Sequence, residues 1–170
     1  MPELTPQERL QPALLDRLTD EEPEKREEPR ERRVMSKSRL RQAVLRDLAW
    51  LLNATRLESS ESLANLPDAR HSVINFGLPA LTGRAASSLD VADLERAIRQ
   101  TIVDFEPRIR SSTLQVRVLL EGDPLEHHNV IGAEIRGELW AQPVPLELLV
   151  RTKIDLETGK IEIADLGSGG

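Results

Sequence analysis

The stretch IRQTIVDFEPRIRSSTLQVRV, residues 98–118, contains the change of period that decides the fold. Taken with the residues just before it, Leu94, Ala97, Ile98, Thr101, Ile102 and Phe105 recur every three or four positions and form one helical face. From Leu114 the pattern alternates: Leu114, Val116, Val118 and Leu120 are separated by Gln115, Arg117 and Leu119, the period of a strand. Between the two patterns stand Glu106, Pro107 and Arg108. Proline removes a backbone donor and disfavours helical geometry in the residue before it, so the helix must end here at a stiff corner. The helix is expected over about Asp90–Phe105, with Asp90 as cap and Leu89 and Leu94 spaced for a hydrophobic staple.

Downstream, period two persists. Ile131, Ala133, Ile135, Gly137 and Leu139 alternate in one run, and Leu146, Leu148, Val150, Thr152 and Ile154 in the next. LETGK then turns the chain into Ile161 and Ile163. Upstream, SKSRLRQAVLRDLAWLLNAT places Leu40, Val44, Leu48, Leu51 and Leu52 on one helix face, with Ser36 or Ser38 as cap and Asn53 as stop. Residues 54–87 carry prolines and glycines too often for long elements. Helices first and strands later predict an α+β fold, in which N-terminal helices pack on a small, mainly antiparallel sheet of about four strands in the C-terminal half.

Four regions are expected. Residues 1–19 form an N-terminal helical segment, with Leu10, Leu14, Leu15 and Leu18 at helical spacing and Pro12 in a first turn from about Gln11. Residues 20–35 are a charged linker containing two prolines, too polar to offset its own ordering entropy. Residues 36–166 are the α+β domain, and residues 167–170, GSGG, a flexible tail.

Composition excludes several functions. With no cysteine, disulfide and thiolate chemistry are absent. The first 25 residues lack an apolar core of the signal-peptide kind, and no apolar run approaches the ~20 residues needed to cross a bilayer, so a cytoplasmic location without membrane insertion is expected. Net charge is −6, distributed as −3 over residues 1–35, +2 over 36–110 and −5 over 111–170, which argues against a nucleic-acid binder. Nineteen of the 23 basic residues are arginine, a residue favoured in bidentate pairs and at interfaces, although genomic codon bias has the same effect. Aromatic residues are 2% of the chain, with no tyrosine.

Catalytic constellations are poorly supported. His127 and His128 are adjacent in a polar loop and His71 is isolated, with no partner at ligand spacing, so no metal or other cofactor is expected. Nor is there a G-x-S-x-G elbow, a phosphate-loop lysine or a dinucleotide fingerprint. A glycosidase needs two carboxyl groups about 5 or 6.5–9.5 Å apart, and Asp104, Glu106 and Glu121 can be nominated. A neighbouring arginine favours the ionised form of a carboxyl, however, the wrong direction for a general acid. A sugar cleft also wants aromatic platforms. The corner Glu106-Pro107-Arg108 remains the most specific feature: a helix stop with surface charges, a structural brace, or a stiff presentation of one acid and one base to a partner.

Four segments in order, LLDRLTDEEP (14–23), SVINFGLPALTG (72–83), IRQTIVDFEPRI (98–109) and TKIDLETGKIEI (152–163), resemble the TssE family, the baseplate subunit of type VI secretion systems. It is similar to the small wedge protein of contractile phage-tail baseplates, and the resemblance runs from about residue 8 over nearly the whole chain. The family's Glu-Pro-Arg triplet matches Glu106, Pro107 and Arg108. The resemblance implies a structural role without enzyme activity. The triplet would dock on the helical bundle of the larger TssF and TssG wedge subunits, with TssK nearby, and the strands would template the first ring of contractile sheath proteins. A strand edge within residues 144–163 is the expected pairing site. Some relatives carry a lysozyme label, and a peptidoglycan-cleaving glycoside hydrolase is the alternative.

Overall fold

In a computed structural model of the chain, the residues described are 13–19, 24, 36–83, 90–119, 130–141 and 144–167. Among the described residues four helices precede four strands: α1 (Leu14–Leu18), α2 (Lys37–Asn53), α3 (Pro67–Arg70), α4 (Val91–Phe105), β1 (Gln115–Leu119), β2 (Val130–Leu139), β3 (Leu146–Asp155) and β4 (Ile161–Asp165). Two short 3-10 turns, Leu57–Ser59 and Val73–Asn75, punctuate the segment between α2 and α4. The helices-then-strands order is the α+β layout expected from the change of period. Gln11, Pro12 and Leu89, and most of the expected 20–35 linker, lie outside the described residues, as do Leu120, Glu121, His127 and His128.

The sheet is an antiparallel meander in the order β1-β2-β3-β4. Alternation separates its two faces. Register aligns Val118, Ala133, Thr152 and Ile163 across all four strands, and Ile131, Ile154 and Ile161 across three. These residues face the helices, and most are buried. The buried Thr152 hydroxyl donates to the Ala133 carbonyl at 3.2 Å, so it enters the core with its polar group satisfied. On the opposite face Arg117, Glu134, Arg151 and Ala164 lie in one row, and Glu134 takes Arg136 at 2.7 Å.

Helix α2 buries Leu40, Ala43, Val44, Leu48, Leu51 and Leu52. Ser36 caps it by accepting from the Arg39 N–H. The helix also secures both ends of β4. At one end Arg41 grips Asp165 through Nε at 2.6 Å and Nη2 at 2.5 Å. At the other, the Asn53 amide donates to the Ile161 carbonyl and accepts from the Ile161 N–H, each at 2.9 Å. Asn53 thus serves as one residue of a missing neighbour strand.

Helix α4 is capped by the Asp90 carboxylate, which accepts from Asp93 N–H at 3.1 Å. Its Glu95 side chain accepts from the Val118 N–H at 2.8 Å, blocking part of the β1 edge. Of the segment 144–163 expected to hold the free edge, β3 lies inside the sheet between β2 and β4. Only the start of β4 belongs to an edge. The sequence pattern identifies strands but carries no strand order, and so does not single out β4 within that range.

The loop before α4 is held by backbone pairing. Leu78 N–H bonds to the Ala54 carbonyl at 2.8 Å and Arg56 N–H to the Leu78 carbonyl at 2.9 Å. Gly77 sits at φ +118°, and a Cβ there would collide with the Ala54 carbonyl, so only glycine fits.

A buried ionic corner at the end of helix α4

Pro107 stops α4 as its covalent geometry requires. Glu106 leaves helical geometry at φ −123°, ψ 77°, while its N–H still bonds to the Ile102 carbonyl at 2.8 Å. The chain then joins the sheet at once. Arg108 carbonyl accepts from Trp140 N–H at 2.7 Å, Arg110 N–H donates to the Glu138 carbonyl at 2.9 Å, and Ile109 bridges Leu139. The corner is therefore fixed between a helix end and the end of the long strand β2. Phe105 packs edge-to-face on Phe76, ring centroids 5.4 Å apart, which ties the same turn to the preceding loop.

Glu106 turns inward. It is 3% exposed, and both its oxygens are occupied by Arg108: Nε to Oε1 at 2.7 Å and Nη2 to Oε2 at 2.5 Å, with the Arg108 backbone N–H also on Oε1 at 3.1 Å. Arg108 Nη2 further meets Asp47 Oδ2 of α2 at 2.5 Å. Burial on its own would lower the pKa of this guanidinium. The hydrogen bonds and charge of Glu106, and then those of Asp47, outweigh that and raise it above the ordinary arginine value. The charge is permanent.

Asp47 extends the network. Its Oδ1 accepts from Arg46 Nε at 2.9 Å, and Arg46 Nη1 donates to Asp16 Oδ1 of α1 at 2.7 Å. The Arg46 guanidinium also lies 5.3 Å from the Trp50 ring centroid. Five charged side chains from three elements thus form one chain: Asp16, Arg46, Asp47, Arg108 and Glu106.

The sequence pattern singles out Glu106, Pro107 and Arg108 as a stiff corner offering a pair of charges to a partner. In the structure only Pro107 and part of Arg108 reach the surface, while Glu106 is the brace that orients Arg108. Sequence reasoning misses Asp16, Arg46 and Asp47. No local signal marks Asp47, which is 61 residues from Arg108. The one available clue is the adjacent Arg46–Asp47 pair beside the buried Val44–Leu48 stripe.

Of the nominated glycosidase carboxyls, Asp104 and Glu106 lie among the described residues and each is engaged by its own partners. Glu106 is sequestered by Arg108, whereas Asp104 is held by Gln100 Nε2 at 2.8 Å and by His71 Nδ1 at 3.3 Å. Among the described residues no cluster of His, Cys, Asp or Glu could hold a metal ion. An open hollow on the outer sheet face is lined by Thr113, Gln115, Arg136, Glu138, Val144 and Glu147, with no aromatic platform.

The model of the baseplate wedge protein gp25 family matches residues 38–144, from α2 through the ionic corner and β2. The chain belongs to the gp25 baseplate wedge protein family. No curated protein and no solved structure matches it. For this wedge-family chain, the match covers four of the five members of the ionic chain, Asp16 lying outside it. Family membership assigns it to the structural components of phage-tail-like baseplates. Among the described residues no helix is long and apolar enough to cross a membrane.

Proposed function

We propose that this protein is the TssE-type baseplate subunit of a type VI secretion system, a cytoplasmic adaptor that anchors in the wedge and starts contractile sheath assembly. The observation that carries the reading is the Glu106-Pro107-Arg108 corner inside a wedge-family match. A buried carboxylate holds a partly exposed arginine in one orientation beside a proline that cannot yield. Such a preorganised surface loses little side-chain entropy on binding. Its partner on this reading is the helical bundle of TssF and TssG, with TssK elsewhere in the wedge.

The second attachment is a sheet edge. At β1 the Val118 N–H is taken by Glu95, whereas at β4 the backbone of Ile161 is masked by Asn53. Antiparallel alternation leaves the backbone groups of Ile163 turned outward. We assign β4 as the edge that pairs with a sheath strand, a mode in which main-chain hydrogen bonds supply the contact and no catalytic residue is needed.

The test is co-purification with TssF and TssG. Arg108→Ala and Glu106→Ala should each lose the wedge subunits at 4 °C while retaining a native circular dichroism spectrum. Normal recovery with both variants would remove the anchoring role. Purified wild-type chain that cleaves peptidoglycan would instead favour the glycoside hydrolase.

A further inference from the structure

The β4 edge of the sheet is closed at both ends by one helix. The Lys160 carbonyl accepts from the Asp155 N–H at 3.0 Å, and the Leu166 N–H donates to the Leu149 carbonyl at 2.9 Å, so the even-numbered residues of this strand face β3. Antiparallel alternation therefore turns the backbone groups of Ile161, Ile163 and Asp165 away from the sheet. At Ile161 they are filled: Asn53 Nδ2 donates to the carbonyl and Asn53 Oδ1 accepts from the N–H, each at 2.9 Å. Past the other end, Arg41 Nη1 donates to the Glu147 carbonyl at 2.7 Å, while its Nε and Nη2 hold the Asp165 carboxylate. Arg41 thereby closes the rung of β3 beyond Leu149 and Leu166. Among the described residues, the N–H and carbonyl of Ile163 and of Asp165 meet no such partner.

Asn53 is a plug rather than a latch. Its side chain is an amide, with the donor and the acceptor of a peptide group, and it gives Ile161 the two bonds that a facing strand residue would give. Nδ2 also donates to the Ala49 carbonyl of its own helix at 2.8 Å, so three hydrogen bonds fix the rotamer. A strand that displaced Asn53 would replace two of these bonds and break the third, with no net gain. Between Arg41 and Asn53 the same i, i+4 ridge of α2 carries Leu45 and Ala49, both half-buried. A strand laid on β4 turns alternate side chains toward the helix layer, as Ile163 itself does. The side chain it places beside Ile163 must then be apolar.

We propose that Asn53 is the register stop of the β4 edge: an incoming strand of contractile sheath protein pairs with Ile163 and Asp165, presents an apolar residue beside Ile163, and ends where the Asn53 amide begins. This rests on the β4-edge reading above and states where on that edge the partner is admitted. A strand has period two, so pairing can slip by two residues without turning the wrong side chains inward. A filled rung at Ile161 forbids that slip in one direction.

Hydrogen exchange resolved to single amides by mass spectrometry, on the full-length chain alone and with purified contractile sheath protein, tests this. In wild type, sheath protein should slow exchange at Ile163 and Asp165 by about tenfold or more and leave Ile161, already protected by Asn53, unchanged. In Asn53→Ala the Ile161 amide should exchange fast in the free chain and become protected with sheath protein, because pairing now runs on to it. If Ile163 and Asp165 are slowed in that variant while Ile161 stays fast, the stop is overturned and the edge reading stands. No slowing at Ile163 and Asp165 in wild type would remove the edge reading, and the stop with it. Slowing at these amides in the chain alone as its concentration rises would make the occupant a second copy, and would also overturn the proposal. Ile163→Pro supplies an arm that does not depend on how well Asn53→Ala folds. It removes an outward N–H and no bond to β3, so sheath binding should fall by about tenfold or more with the circular dichroism spectrum unchanged. Undiminished binding by this variant would overturn the stop together with the edge reading.

Discussion

Glu106→Ala discriminates between a brace and a decorative surface charge. The wild-type carboxylate is 3% exposed and accepts three hydrogen bonds, two from the Arg108 guanidinium and one from its backbone N–H. Removing one partner of a fully buried ion pair costs about 3–5 kcal/mol. Here Arg108 retains Asp47 and keeps 23% side-chain exposure, so water and a second carboxylate recover part of the loss. The expected destabilisation is therefore about 2–4 kcal/mol. A solvated surface pair would give only about 0–1 kcal/mol.

Urea denaturation followed by circular dichroism measures it. With a slope of about 2 kcal/mol per molar urea, the midpoint should fall by about 1–2 M. Arg108→Ala should cost more than Glu106→Ala, since it leaves a carboxylate buried without its counter-ion. The double variant should cost less than the two single losses added, with a coupling of about 1–3 kcal/mol. A loss below about 1 kcal/mol for Glu106→Ala, or strict additivity in the cycle, would refute the brace and return Glu106 to the status of a helix-end charge.

Two other perturbations probe the β4 edge. Asn53→Ala leaves both backbone groups of Ile161 without their partner, and should cost about 1–3 kcal/mol in urea and speed amide exchange at Ile161 more than at residues of β2. Asp165 is held below the ordinary aspartate pKa, chiefly by its hydrogen bond to Arg41, against the opposing effect of burial. A carboxyl depressed in the folded state stabilises above its unfolded pKa and ceases to do so as pH falls through the folded value. Between pH 7 and pH 3, Asp165→Asn should therefore lose less stability than wild type, and parallel melting curves would contradict this.

Legibility of the fold follows the strength of the periodic signal. Helix α4 and strands β2 and β3 are readable because long stretches repeat one period without interruption, and Pro107 marks the stop at a covalent level. The strand order is not readable. Nothing within residues 144–163 tells an edge strand from its interior neighbour, because both alternate and β3 simply gains a second partner. The corner is half readable. The triplet is local and visible, but the second carboxylate that holds Arg108, Asp47, arrives from a different helix. Asp16 is equally invisible, since it reaches Arg46 from another helix across 30 residues.

An adaptor with two attachments needs the path between them to be stiff, and the structure supplies one. Arg108 and Arg110 are hydrogen-bonded to the end of β2 on both sides of the Ile109–Leu139 bridge. β2 is paired with β3 over ten residues, and β3 with β4. Helix α2 closes the circuit, since the same helix that offers Asp47 to Arg108 grips β4 through Arg41 and Asn53. The ionic corner and the proposed sheath edge are thus two ends of one packed unit, joined both through the sheet and across a single helix. An apolar corner of similar volume could be as stable. It would not fix a charged side chain in one orientation at the surface while tying the helix that sets the opposite edge. On the proposed reading, that joint requirement is why an arginine braced by a buried carboxylate stands where a helix stop alone would have needed only proline.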